Sequence, residues 1–335
     1  MLILGIDTSC DDTSSSVVAD GCRILSNVVS SQEEVHKKYG GIVPELASRR
    51  HIENIIPVVR SSLDKAGITQ EKLDAVAVCH GPGLIGSLLV GCCFIKSLCY
   101  VLGKKIVTVN HLLGHINAIF LTERYPKFPY ICLVVSGGHT SLYRVDGHDE
   151  VVEMGKTLDD AAGEAYDKVA KMLGLGYPGG PKIDMLAREG NRLAFDFPRA
   201  YLPNTFDFSF SGVKTAVKRI ITELRDTTGL NETIIKNISA SFQSAVIDVL
   251  IRKIDLAVRS TGIKEVVISG GVAANKELRE RVAQYGLDSG VNTYIPPPYL
   301  CTDNGAMIAV VGYHKLIKGD VSDLSFNPRA YLPLG

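Results

Sequence analysis

The stretch "YICLVVSGGHTSLYRVDG", residues 130–147, decides the fold, because it has a counterpart at the start of the chain, "LILGIDTSCDDTSSSVVADG", residues 2–21. Each copy runs from an apolar segment into a loop of small polar residues, returns as a second β-prone segment and reaches an Asp-Gly pair. Asp-Gly between two such runs signals a type I′ hairpin turn. Asp20-Gly21 and Asp146-Gly147 therefore each predict a tight turn, followed by a third strand in "CRILSNVV" and in "DEVVEM". After the first copy come a helix near 44–66, a strand at 74–80, a helix near 85–102, a strand at 105–110 and a helix that His111 begins. After the second come a largely helical stretch at about 159–260, a strand at 264–270, a helix opened by Asn275, the short strand "NTYIP" and a closing helix. Two β-β-β-α-β-α units predict two similar α/β lobes, with ligands at the loops that follow the strands. The lobes are expected over 1–128 and 129–302. The helical stretch is then an insertion in the second lobe, and the closing helix, about 303–320, packs back on the first.

The 335 residues suffice for two domains, each with its own core. With 46% apolar and 21% charged residues, the composition is that of a globular protein. No stretch holds the roughly 18–20 uninterrupted apolar residues of a membrane span, and "GLIGSLLVGCCFIKSLCYVLG" is broken by Lys96. No basic leader segment with a cleavage site is visible, so a cytoplasmic location without membrane attachment is expected. The eight cysteines form no C-x-x-C pair, and most lie in apolar runs, which predicts buried, reduced thiols. Thirty-six basic residues balance thirty-six acidic ones, so overall charge does not grip nucleic acid. Local patches remain open at 37–38, 49–50 and in "VKTAVKR", 213–219.

"NHLLGHINA", residues 110–118, places His111 and His115 four positions apart, on one face of a helix. That spacing suits a divalent metal, or an ordinary histidine pair. Leu112 fills the position where a zinc-protease helix carries its glutamate base. Asp303, in "CTDNGAMIA", is a third ligand or an N-cap of the closing helix. Two histidines and an aspartate suit Zn²⁺ or Fe²⁺ and leave positions for substrate or water. The loops "DTSCDDTSS" and "SGGHTS" have the small residues that let backbone N–H groups approach an anion. "SGGVAANKEL", 269–278, suits a ribose or adenosine contact, and "LGLGYPGGPKID", 173–184, reads as a rigid wall. No G-x-S-x-G elbow and no P-loop is present, so direct transfer between bound substrates is expected.

The duplicated architecture resembles the actin/Hsp70/sugar-kinase (ASKHA) fold, which places the active site in the cleft between its lobes. Taken in order, "IDTSCDDTS", "GGIVPELASRRHI", "GPGLIGSLLVG", "NHLLGH", "LVVSGGHTSL", "DDAAGEAYDKVAKMLGLGYPGGP", "FSFSGVKTA", "GGVAANKELR" and "CTDNGAMIA" resemble one family across nearly the whole chain. It is the tRNA N6-adenosine threonylcarbamoyltransferase family, formerly the O-sialoglycoprotein endopeptidases or glycoproteases, in its bacterial form. The resemblance implies transfer of a threonylcarbamoyl group from threonylcarbamoyl-adenylate to N6 of the adenosine just 3′ of the anticodon, in tRNAs reading codons that begin with A. It implies one divalent metal on His111, His115 and Asp303, Fe²⁺ ahead of Zn²⁺, and an adenylate or ATP-type nucleotide. Substrate contacts map onto Val134, Val135, Ser136, Gly137, Gly138, Asp167, Gly180, Asp184 and Asn275. The implied partners are tRNA, a homologous ASKHA dimerising subunit, a small P-loop ATPase and an upstream adenylate-forming enzyme. Asp11, with Asp12 and His139 as alternatives, is the expected proton acceptor from the adenine amine. Leu113 stands where many relatives carry an acidic residue, and Asp7 and Asp12 where relatives carry glutamate. A peptidase would need a base beside the metal, where Leu112 and Leu113 stand. A non-catalytic partner would have no need of the histidines, and a sugar kinase would need a catalytic aspartate on a sugar-binding loop that is not identifiable.

Overall fold

The computed structural model describes residues 1–227 and 229–334. They form two compact units, Met1–Tyr125 with Gly147–Val151 and Pro296–Gly335, and Pro126–Asp146 with Val152–Ile295. The first unit begins with β1 (Leu2–Asp7), β2 (Asp12–Ala19) and β3 (Arg23–Ser31). It continues through α1 (Glu33–Lys37), α2 (Pro44–Ala66), β4 (Ala75–Gly81), α3 (Ile85–Leu102), β5 (Lys105–Asn110) and α4 (His111–Asn117). Its sheet runs β3-β2-β1-β4-β5, with β1 antiparallel to β2 and parallel to β4. Asp20 and Gly21 both have positive φ, 53° and 70°, as a type I′ turn requires. The polar loop is shorter than its composition suggests, because β2 already begins at Asp12 and only Thr8–Asp11 lie between the strands.

The second unit carries β6 (Tyr130–Val135), β7 (Thr140–Val145) and most of β8 (Val151–Lys156), then α5 (Ala162–Met172), α6 (Gly179–Ala187), α7 (Ser211–Asp226) and α8 (Glu232–Thr261). β9 (Glu265–Ser269), α9 (Lys276–Ser289) and β10 (Asn292–Tyr294) complete it. Its sheet order, β10-β9-β6-β7-β8, reproduces that of the first unit strand for strand. The expected duplication is therefore present, but the second Asp-Gly pair does not make a tight turn. Five residues, 146–150, join β7 to β8; the turn falls two residues on, at His148-Asp149, where Gly147 and Glu150 exchange backbone hydrogen bonds at 3.3 Å, and Gly147 is absent from the positive-φ glycines. The reason is a tertiary contact within the first unit. His148 in this connection stacks on His314, with ring centroids 3.3 Å apart, and shares a 2.7 Å hydrogen bond with Asn117.

The chain returns to the first unit through α10 (Pro298–Cys301) and α11 (Gly305–Ile317). Side chains alternate across a strand, so the two faces of β1 meet different helices. Leu4 and Ile6 join the core under α2 and α3 with Ile55, Val59, Cys92 and Ile95. Ile3 and Gly5 face α11. A Cβ at Gly5 would lie 2.1 Å from the Gly305 carbonyl oxygen, and one at Gly305 would lie 2.6 Å from that of Gly5. Two backbones thus touch with no side chain between them. α3 and α8 are long and apolar enough to cross a membrane by length and composition. Their apolar faces pack here on β4 and α2, and on α6, respectively. All eight cysteines are free; Cys22 and Cys93 are exposed, contrary to the expectation of buried thiols, because Cys22 lies in the turn between β2 and β3 and Cys93 on the outer face of α3.

Gly5→Ala overpacks the β1–α11 contact and is expected to cost about 2 kcal/mol or more. Thermal denaturation followed by circular dichroism should show a melting point lower by roughly 4–8 °C, and an unchanged melting point would refute the contact.

Candidate functional site

Asn110 ends β5, and its Oδ1 accepts hydrogen bonds from the N–H groups of Leu112 and Leu113, at 2.9 and 3.4 Å. This cap starts α4 at once, which puts His111 and His115 one turn apart. Their rings meet edge to face, 4.7 Å between centroids. At the start of α11 the cap is Asn304, whose Oδ1 accepts from the Met307 N–H at 3.0 Å. Asp303 is therefore not the cap. Its Oδ1 lies 3.2 Å from His115 Nε2 and 3.5 Å from His111 Nε2.

Asp7, wholly buried at the end of β1, accepts from His111 Nδ1 at 3.0 Å, and the Ser9 hydroxyl lies equally close to that nitrogen. A proton held on Nδ1 leaves Nε2 as the lone-pair nitrogen, the arrangement by which a carboxylate orients a metal-binding imidazole. His115 is fully buried, yet among the described residues neither ring nitrogen has an aligned hydrogen-bond partner. Leaving such groups unpaired in the interior costs free energy. A divalent cation held by His111, His115 and Asp303 relieves that cost at His115 Nε2, and the three ligand atoms lie within 4.8 Å of one another.

The electrostatics favour a cation as well. Burial raises the Asp11 carboxyl, and Asp303 adds to the rise. Burial, then Asp11 and Asp303, push Asp12 up to about 7, and its Oδ1 is buried with no hydrogen-bond partner among the described residues. Burial alone would lower His111, but Asp303 and Asp7 outweigh it and push the imidazole up to about 9. Four carboxylates thus crowd two imidazoles. Asp7, Cys79 and His111 make a second close group. Burial and Asp7 hold the Cys79 thiol well above its usual range, so it remains protonated and a poor ligand.

The first loop is held from outside by His51 of α2, which shares hydrogen bonds with Thr13 Oγ1 at 2.8 Å and the Cys10 carbonyl at 3.0 Å. Sequence reasoning missed Asp7, Ser9 and His51 as contributors. A signal for Asp7 was present, since it is the first charged residue at the carboxyl end of a strand flanked by a parallel neighbour. Leu113 is buried in α4, and its carbonyl accepts from Asn117 Nδ2 at 3.0 Å.

The expected substrate residues all lie in the second unit, as does His139, whereas Asp11 lies in the first. Val134 and Val135 are fully buried on β6, so only their backbone can meet a ligand. Ser136 to His139 make a closed turn, Ser136 N–H to the His139 carbonyl at 2.8 Å and His139 N–H to Ser136 Oγ at 3.1 Å. A Cβ on Gly137 or Gly138 would meet nothing within 4 Å, so the tip of this loop is open. Gly163 lets the start of α5 press on the same loop, since a Cβ there would lie 2.6 Å from the Ser136 carbonyl oxygen. Asp167 accepts from the Gly179 N–H at 2.7 Å, which fixes the start of α6, and Gly180 beside it is open. Asp184 and Asn275 converge on Gln243 of α8. Its amide donates to Asp184 at 3.3 Å and to Glu277 at 2.9 Å, and its carbonyl accepts from Asn275 at 2.6 Å. Asn275 also caps α9 through the Leu278 N–H. Gln243 was not singled out from sequence, although a glutamine inside the buried run "SASFQSA" is the type of polar residue that needs a partner.

The family model for tRNA N6-adenosine threonylcarbamoyltransferase matches residues 23–310. The chain belongs to this family. Proteins of that name from Thermodesulfovibrio yellowstonii and Symbiobacterium thermophilum are 60% and 52% identical to it, each covering 100% of this chain and 100% and 97% of their own lengths. It is thus a transferase of tRNA modification. Among solved structures, full-length HypF in a phosphate- and nucleotide-bound form covers 96% of this chain and 47% of its own, with a TM-score of 0.62 at 15% identity. The activator of the 2-hydroxyisocaproyl-CoA dehydratase from Clostridium difficile covers 97% of this chain and 100% of its own, with a TM-score of 0.54 at 14% identity. These likenesses show the two-lobed ASKHA fold.

Two predictions concern the cluster. Asp7→Asn should weaken divalent-metal binding by about 10–100-fold in equilibrium dialysis, and His115→Ala should abolish it; unchanged affinity in both would exclude this cluster as the metal site. Because His111 is raised above its unfolded value, its protonation stabilises the metal-free chain fully below about pH 6.5, and that stabilisation is lost as pH rises through about 9. A metal must displace this proton, so metal titrations should show apparent affinity climbing about tenfold per pH unit between these limits.

Proposed function

We propose that the chain transfers the threonylcarbamoyl group from threonylcarbamoyl-adenylate to N6 of the adenosine just 3′ of the anticodon, in tRNAs reading codons that begin with A, and releases AMP. The observation that carries this reading is the His111–His115–Asp303 cluster, whose ligand atoms lie within 4.8 Å of one another around a fully buried His115, with leucines where a hydrolytic base would stand. His111, His115 and Asp303 would hold one Fe²⁺ or Zn²⁺, iron being the preferred reading. When bound it supplies a Lewis acid for the oxygens of the acyl donor.

The remaining chemistry belongs to the chain. A mixed anhydride is already activated, so no covalent enzyme intermediate is required. The adenine amine is a poor nucleophile, its lone pair being delocalised into the ring, and it needs placement and a proton acceptor. Asp11 takes that role, since a carboxyl raised toward neutrality is a better base than an ordinary one. Asp12 beside it and His139 are the alternatives. The backbone of Val134 to Gly138 receives the adenylate phosphate at its open, glycine-tipped turn. Asp167, Gly180, Asp184 and Asn275 contact its nucleoside and threonyl parts, with Gln243 fixing Asp184 and Asn275 in register. Each compact unit is read as one lobe. The chain works in the cytoplasm with a homologous dimerising subunit, a small P-loop ATPase and an enzyme that makes the adenylate.

Incubating the purified chain with those partners, threonine, bicarbonate, ATP and unmodified tRNA, then digesting the tRNA for mass spectrometry, should yield N6-threonylcarbamoyladenosine. The His111→Ala, His115→Ala double variant should give at least about 100-fold less. No product with wild type, or full product with the double variant, would sink the reading. Metal analysis of anaerobically purified protein separates iron from zinc.

A further inference from the structure

The basic stretch "VKTAVKR", 213–219, is used neither by the metal cluster nor by the Asp184–Gln243–Asn275 network. It lies on α7, and one side of that helix borders a cavity of about 360 Å³ within the second unit. Phe195, Phe197, Pro198, Ala216 and Ile220 supply the apolar wall, and Arg219 is its cation. The wall is fixed to α8 by hydrogen bonds. Phe195 N–H donates to Ser241 Oγ at 3.2 Å, and Arg199 donates to the Phe197 carbonyl at 2.6 Å while pairing with Asp248 at 2.9 Å. The rings of Phe195 and Phe197 lie near-parallel, 5.9 Å between centroids, and Phe195 keeps part of its surface exposed.

The cations of α7 are not equivalent. Lys214 is tied to Asp160, and Arg225 donates to the Met172 carbonyl at 2.8 Å. Lys218 and Arg219 are exposed and make no ion pair among the described residues. The one acid of the lining, Asp196, is directed to Arg199 at 3.3 Å and does not neutralise Arg219. An aromatic face, an uncompensated guanidinium and a cavity at the small end of the range of about 300–1,000 Å³ for ligand sites suit one nucleotide and exclude a stack of several. Proteins read single-stranded RNA in this way, by stacking unpaired bases on aromatic rings and neutralising the adjoining phosphates.

We infer that this cavity receives one unstacked nucleotide of the tRNA, its base against Phe195 and its phosphate on Arg219. The inference rests on tRNA being the substrate and is independent of the acyl donor.

The test is equilibrium binding of unmodified tRNA to the full-length chain by fluorescence anisotropy, between about 50 and 200 mM salt. Phe195→Ala should weaken binding by about fivefold or more with the salt slope unchanged, and Phe195→Tyr should restore it. Arg219→Ala should weaken binding and flatten the slope by about 0.7, and Lys218→Ala, outside the lining, should do less. Binding within twofold of wild type in all four variants, no measurable tRNA binding by wild type, or a Phe195→Tyr protein as weak as Phe195→Ala would overturn the assignment. So would saturation of the cavity by free AMP with tRNA binding untouched by Phe195→Ala, which would make it a free-nucleotide site. These measurements omit the donor, so failure of the adenylate reading leaves them unchanged.

Discussion

The contact between Gly5 and Gly305 governs the arrangement of the candidate metal centre. At that point the backbones of β1 and α11 approach so closely that no Cβ fits between them. Strand β1 brings Asp7 to its carboxyl end, and α11 begins just after Asp303. Seating the helix on the strand therefore brings together two carboxylates from opposite ends of the chain. The histidines arrive from a third place, α4, which Asn110 starts immediately after β5. A side chain at either glycine would push the helix start outward and separate Asp303 from the imidazoles.

That arrangement concentrates negative charge in a buried place, which is unfavourable unless something positive is bound. The interior raises Asp11 and Asp12 and leaves His111 holding a proton to about pH 9. For both aspartates burial is the larger cause and the surplus of carboxylates adds to it, and a divalent cation offsets that surplus more completely than protons do. The division of labour at His111 follows from its two nitrogens. Asp7 occupies one, and the other is directed to the cluster. The second unit uses a different principle, with the neutral amides of Gln243 and Asn275 joined to the carboxylates of Asp184 and Glu277 in a hydrogen-bond network.

Local periodicity carried most of the architecture. Repeated apolar runs, hairpin turns and helix caps act within a few residues, so β1 to β3, α2, α3 and α9 could be read directly from the chain. The failures came where a distant contact outweighed a local preference. Asp146-Gly147 is as good a turn signal as Asp20-Gly21, yet the stacking of His148 on His314 draws its residues into a longer connection. Asp303 is a separate case: sequence left it open between N-cap and third ligand, and the packing of α11 made Asn304 the cap and turned Asp303 to the histidines.

The sequence by itself determined the duplicated lobes, the family, and the residue types able to bind a metal, because these depend on order and spacing along the chain. Tertiary structure alone decided which of those residues meet. Asp7 reaches His111 across 104 positions and Gln243 reaches Asp184 across 59, separations over which no local rule operates. It also decided that His115 is buried with Asp303 beside it and no aligned hydrogen bond among the described residues, since that depends on everything packed around the ring.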